Sequence, residues 1–253
     1  MVGSALAGLA RLRGGKAVHP HGVTYDARLH VDGAPAAPAA SELLSTPGER
    51  HALVRFSRSL GLPRPLPDLL GASIRVLDAY GQDRPQDFLM VTSAEPPLIR
   101  HVFLPAGDVQ QRLYSSSLPY RAGDRSFVVG LRAAPGSPRP DGDHEFDRLE
   151  RAAATGRLRF DLLVAAGFGR FERVGAVHIG SRLPAALDAL RFNPFNTGGG
   201  LELAGALNHM RDYAYPRSQR AWGATGNRAG EQRRADDQAR ALADSKTHAP
   251  VAP

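Results

Sequence analysis

Cysteine is absent from this chain of 253 residues. That excludes disulfide staples, thiol nucleophiles and thiolate-held metals. Methionine and tryptophan are scarce too, at three and one. No apolar run reaches the roughly 20 residues that a membrane-spanning helix needs, so a membrane partner is not expected. Residues 2–10 are small and apolar, but no positively charged stretch leads into them and no convincing cleavage site follows. The sequence therefore predicts a soluble, cytoplasmic protein. Arginine, by contrast, is plentiful, and the net charge of +7 would suit a nucleic-acid binder. Yet the arginines are mostly scattered singly, and the densest basic run, Arg228 to Arg240, is interrupted by Glu231, Asp236 and Asp237. There is no basic helix with interleaved aromatics and no zinc-finger spacing, so nucleic acid is not expected as a partner. With 42% hydrophobic residues the chain can bury a substantial core.

Residues 1–14 read as a short amphipathic helix, with Leu6, Leu9 and Leu12 opposed to Arg11 and Arg13. Alternation and β-branched content then predict strands over 23–31, 52–57, 72–77 and 87–91. A short helix is expected at Ser41–Ser45 and a turn over 80–86. In the middle, 106–117 reads as helical, 126–131 as a strand, and 135–143 as loop by its Pro and Gly content. A helix over 145–155 has Phe146, Leu149 and Ala153 on one face, and strands follow at 158–164 and 174–179. Seven strands joined by short turns and few helices predict an α+β protein built on a closed antiparallel β-barrel. From Ala185 the character turns helical, with a loop over 191–200 and a helix from Leu203 to Tyr213. The domain is expected to span 1–222, and the polar stretch 223–253 to be a disordered tail.

Two clusters carry chemistry. If the last helix continues, Arg211 and Tyr215 lie four apart on one face. A guanidinium held against a phenol favours the phenolate, a hard anionic ligand suited to haem iron. The other is His19-Pro-His21, whose imidazoles two apart on a strand would share a face. The barrel proteins that use such a pair for a metal also need a nearby Glu, and none occurs before Glu42.

Taken in order, Val18-His19-x-x-Gly22, Val54-Arg55-Phe56-Ser57-x-x-x-Gly61 and Arg211-x-x-x-Tyr215-Pro216 resemble the haem catalase superfamily. Phe192-Asn-Pro-Phe-Asn196 resembles the segment before that family's proximal helix. The resemblance runs from about Lys16 to Arg220, as a short version without the long wrapping loop or C-terminal domain. It implies a catalase-type barrel holding haem b, with Tyr215 as the iron ligand and Arg211 keeping its phenolate charged. His19 falls on the distal histidine, with Val18 packing on the ring beside it. Ser57 falls on the serine that orients that imidazole. Arg55 and Lys16 match the cations that bind haem propionates, and Arg220 is a further candidate. The lack of cysteine and shortage of methionine suit a protein exposed to oxidant.

One element departs from the resemblance. Catalases place an Asn-Asn pair before the fourth strand, whereas here the stretch is Gln82-Asp-Arg-Pro-Gln86-Asp87. Gln86 is the candidate replacement amide, while Asp87 would repel a forming oxyanion. The implied activity is a hydroperoxidase consuming hydrogen peroxide through a ferryl intermediate, with peroxidase turnover on a small organic reductant favoured over disproportionation. Three alternatives stand beside it: a haem enzyme acting on an organic hydroperoxide or biosynthetic substrate, a non-catalytic haem-binding protein, and a barrel binding another small anion. Self-association is compatible with each.

Overall fold

A computed structural model describes residues 21–116 and 118–204, with the isolated positions 237 and 241. The strands are β1 (His21–Val31), β2 (Gly48–Arg58), β3 (Leu70–Val76), β4 (Gln86–Thr92), β5 (Tyr114–Ser115), β6 (Tyr120–Ala122), β7 (Arg125–Ala133), β8 (Arg159–Ala166), β9 (Glu172–Arg182) and β10 (Leu201–Leu203). Two helices, α1 (Glu42–Ser45) and α2 (Glu145–Ala154), and a 3-10 turn (Ala185–Ala189) complete the described elements. The strands form one antiparallel sheet in the order β10-β6-β7-β5-β4-β3-β2-β1-β9-β8, and β7 also pairs with β8. That last pairing closes eight strands into a barrel, leaving β6 and β10 as a ribbon beside β7. Closure removes the exposed edges of the eight strands.

Strand alternation decides what lies inside. Tyr25, Ala27, Leu29 and Val31 of β1, Val54 and Phe56 of β2, and Phe88 and Met90 of β4 join one buried cluster. Phe56 packs against Phe160 and Tyr114, with ring centroids 5.2 and 6.1 Å apart, and Phe88 meets Tyr120 edge-on at 5.6 Å. An eight-stranded barrel is just wide enough for its side chains to fill it, and these aromatics do so. A ligand must therefore be bound outside the barrel wall.

The wall itself is covered in one sector. From Ala52 to Arg58, β2 is buried at nearly every position, not at alternate ones, so both its faces are covered. On the outer face Leu53 and Leu77 pack with Leu183, Leu187, Leu190 and Phe192, a second and separate apolar cluster. The chain after β9 thus folds back over the outside of β1–β3.

At the barrel end, a buried ion cluster straps down the loop between β2 and β3. Arg58 donates to Glu145 Oε1 at 2.9 Å and to the carbonyls of Leu62 and Leu66, while Asp68 accepts from the amides of Leu60 and Leu62. Burial alone would raise the pKa of the Glu145 carboxyl. The hydrogen bond and charge of Arg58, the residue's own amide and Arg64 outweigh that and hold it below its usual 4.5. A depressed folded-state pKa gives stability that is present above the unfolded value and lost as pH falls through the folded one. A Glu145→Gln variant is expected to show a shallower loss of stability below about pH 4.5 than the parent, as read from chemical denaturation at stepped pH.

The expected strands, the short helix after Ser41 and the helix from Glu145 are all present, with β2 and β9 extending further than their apolar runs. Three expectations change. Residues 106–116 are not helical, because Asp108 Oδ1 accepts from the Gln110 amide at 2.8 Å and diverts the chain into a turn. Between Ala185 and Ala204 the helical character is a single 3-10 turn. Leu203, expected to start a helix, ends β10 opposite Tyr120. The remaining span to Tyr213, the helix over 1–14 and all but two positions of the tail lie outside the described residues.

Candidate functional site

The outward face of β2 carries the first pair of interest. Arg55 and Ser57 alternate with the inward Val54 and Phe56, so they point to the covered side of the wall. Across β1 they stand opposite Thr24 and Gly22, and across β3 opposite Ser73 and Gly71. The 3-10 turn grips this patch. Thr24 donates its amide to Asp188 Oδ1 at 2.9 Å and its hydroxyl to Leu187 O at 3.1 Å, while Arg55 Nε donates to Asp188 O at 2.8 Å. The Asp188 carboxylate also receives Arg182. The carboxylate is thus engaged by Arg182 and Thr24, and the Nε of Arg55 meets the same residue at its backbone carbonyl. Burial lowers the pKa of the Arg55 guanidinium, with Asp188 opposing.

Gly22 explains itself here. A Cβ at this position would come within 2.6 Å of the Arg55 guanidinium and 2.8 Å of Phe56 O. The glycine lets a cation lie directly across the strand backbone. Ser57, next to it on the same face, is 3% exposed.

The loop after the 3-10 turn is fixed to the same outer face by Asp87. Arg75 grips the carboxylate with a fork, Nε to Oδ1 at 2.8 Å and Nη2 to Oδ2 at 2.7 Å. The Asn193 amide and the Asn196 side chain donate to Oδ2 at 2.7 and 3.0 Å, and the Asp87 amide donates to Asn196 O. Arg75 also donates to Arg191 O and lies 5.2 Å from the centre of the Phe192 ring. The segment Phe192-Asn-Pro-Phe-Asn196 is therefore a strap over the wall beside Arg55, and Asp87 is its anchor. The repulsion expected of Asp87 is corrected by this geometry, because its charge is matched by Arg75 and shared among neutral donors.

Gln86 takes the opposite face. It shares strand parity with the inward Phe88 and Met90, and its amide is engaged, accepting from Tyr80 OH at 2.8 Å and donating to Asp87 O at 3.0 Å. The physical reason is the two-residue period of β4: with Phe88 in the core, Gln86 must point inward as well. Gln86, expected as the replacement amide, thus lies on the opposite face of the wall from Arg55 and Ser57. Arg75 and Asp188 were not anticipated. The signal for Arg75 was available: a lone Arg in one apolar strand and a lone Asp at the start of the next satisfy each other only as a pair. Lys16, Val18, His19, Arg211, Tyr215 and Arg220 lie outside the described residues.

These features define a closed eight-stranded antiparallel barrel with a filled interior and a cation-bearing outer face beneath a strap. In particular, the fold is of catalase type. The structure is similar to a fungal catalase, with a TM-score of 0.60 and 15% identity over 85% of this chain and 61% of that one. It is also similar to a bacterial catalase, with a TM-score of 0.59 and 15% identity over 85% and 59% of the two chains. Catalase A from Saccharomyces cerevisiae matches with a TM-score of 0.58 and 14% identity over 80% and 60%. At these identities the likeness is one of fold, and the chain spans about 60% of the length of those catalases. No protein-family model matches the sequence, and neither does any curated protein.

Proposed function

We propose that this chain is a haem b-dependent hydroperoxidase that consumes hydrogen peroxide, chiefly at the expense of a small organic reductant. The observation that carries the reading is the placement of Arg55 and Ser57 side by side on the outer wall of a catalase-type barrel. Their chemistry fits the cofactor. Arg55 is a partly buried cation on that face, and its guanidinium is of the type that makes forked contacts with the carboxylate of a haem propionate. Ser57 offers a buried hydroxyl on the same face. Lys16 and Arg220 are the further cations of the proposed site, Val18 the apolar contact to the ring, and Tyr215 the iron ligand, with Arg211 holding it as phenolate. When bound, haem supplies the redox-active iron that accepts oxidising equivalents from peroxide.

His19 would take a proton from one peroxide oxygen and return it to the other as that oxygen departs, acting as base and then as acid. Ser57 accepts or donates at the other imidazole nitrogen and so fixes which nitrogen carries the proton. With Gln86 turned into the barrel, no amide is assigned to steady a second peroxide. That favours an organic donor, and equally an organic hydroperoxide as the oxidant, over disproportionation.

Haem reconstitution of the full chain tests this directly. A Soret band is expected, altered or lost in Tyr215→Phe, together with dye oxidation that exceeds oxygen evolution. Arg55→Met is expected to weaken haem uptake by about 10–100-fold, the worth of a hydrogen bond to a charged group, with Arg55→Lys recovering part of it. Absence of any Soret band, or a band indifferent to both Tyr215 and Arg55, would refute the reading.

A further inference from the structure

The loop over 59–67, between β2 and β3, turns apolar side chains to solvent. Leu60, Leu62 and Leu66 are 58%, 39% and 53% exposed, three leucines within seven residues. Apolar residues exposed singly need no explanation, but a cluster of them marks a surface that something covers. The loop's backbone polar groups are engaged on the other side. Asp68 accepts from the Leu60 and Leu62 amides, the Leu62 and Leu66 carbonyls accept from Arg58, and Leu66 N donates to Pro63 O. Pro63, Pro65 and Pro67 have no N–H to satisfy. What faces outward is a fixed apolar ledge, ordered before any partner arrives.

The chain that precedes β1 leaves the barrel beside this ledge. β1 and β2 are antiparallel and His21 stands opposite Arg58, so residues before His21 and residues after Arg58 run off the same end. Upstream, Leu6, Leu9 and Leu12 recur every three residues, the spacing of one helix face. Leu12 lies nine residues before His21, a tether that reaches at most about 30 Å. Such a tether holds the arm near the ledge at an effective concentration on the order of millimolar. A second copy of the chain at micromolar concentration is at a disadvantage of about a thousandfold. Charge favours the same occupant. Residues 1–20 carry Arg11, Arg13 and Lys16 and no acid. The ledge is fastened to the start of α2 through Arg58 and Arg64, both of which reach Glu145. Around that contact Asp141, Asp143, Asp147 and Glu150 have no ion-pair partner among the described residues, while Arg148 is committed to Asp108. Those four acids therefore stand against Arg151 on this stretch.

We propose that residues 5–12 pack across Leu60, Leu62 and Leu66 of their own chain, with Arg11 and Arg13 toward the acids of α2. Residues 13–20, which hold Lys16, Val18 and His19 of the proposed haem site, are then tethered at both ends. The docking itself does not require haem. The absence of native cysteine makes disulfide trapping a clean test. In the full chain, Leu9→Cys paired with Leu62→Cys is expected to cross-link within one chain under a mild oxidant, as read by non-reducing electrophoresis. Leu66→Cys serves in place of Leu62→Cys, and both positions are exposed enough to spare the fold. Leu9→Cys paired with Phe168→Cys, an 80%-exposed position at the far end of the barrel, should cross-link at least about tenfold more slowly. Adding Leu6→Ser and Leu12→Ser to the first pair should slow it at least about tenfold, because the apolar contact is lost while the tether stays. The proposal is overturned if the first pair does not cross-link, if the Phe168 pair matches it, if the serine changes leave its rate unaltered, or if the product is a dimer. An unaltered rate means a tethered arm that does not dock, and a dimer means an arm that covers a second copy. A rate indifferent to about 0.5 M salt would overturn the charge assignment by itself.

Discussion

Replacing Asp87 with Asn is expected to lower the unfolding free energy by about 3–5 kcal/mol, the usual cost of breaking a buried ion pair from one side. Asp87 is fully buried and Arg75 nearly so, and the fork between them is the principal compensation for either charge. Asn keeps the size but loses the negative charge and one acceptor oxygen, leaving Arg75 desolvated. The effect should extend beyond the pair, because Asn193 and Asn196 bind the same carboxylate and hold the strap over the outer wall. Urea denaturation reads the loss as a lower midpoint. The Arg75→Met/Asp87→Leu double variant should be markedly less destabilised than Asp87→Asn, because it removes both charges together. A single variant within about 0.5 kcal/mol of the parent, the range of a neutral surface change, would show that the strap is anchored by other means.

The second large effect concerns turnover. On the proposed reading, His19→Ala should reduce peroxide consumption by about 10²–10⁴-fold, the contribution of a positioned proton-transfer group. Haem content should stay unchanged, since the residue assigned to the iron is Tyr215. Stopped-flow mixing of reconstituted protein with hydrogen peroxide measures the step itself, apart from the reductant. Loss of haem along with activity would make His19 a binding residue, and undiminished turnover would remove it from the chemistry altogether.

The barrel was legible in the sequence because its signal is local. Val54-Arg-Phe-Ser57 alternates and is followed by a Gly/Pro loop, and the same logic holds for β1, β3, β4, β7, β8 and β9. The short strands β5, β6 and β10, of two or three residues, carry no periodicity to detect and exist because longer neighbours offer them partners. Which face each strand shows to the core was also readable in principle. Phe88 and Met90 place Gln86 inside by simple alternation. Asp87 illustrates the opposite case. Its isolation in the sequence marks it as costly, but its partners Arg75, Asn193 and Asn196 come from segments up to 109 residues away, and only the fold brings them together. Arg55 could be read as needing an anion. That the backbone carbonyl of Asp188 accepts from its Nε could not.

The pairing of β1 with β9 has a consequence for how the chain is made. Tyr25 stands opposite Arg182, so closing the barrel joins residues 157 apart. Contacts of such long range must wait for loop entropy to be overcome, which places folding of this kind in the slow millisecond-to-second regime. Until β9 has left the ribosome, β1 has β2 on one side and bare backbone donors and acceptors on the other. The chain is therefore most prone to self-association while its first two-thirds are complete and its last third is still being synthesised.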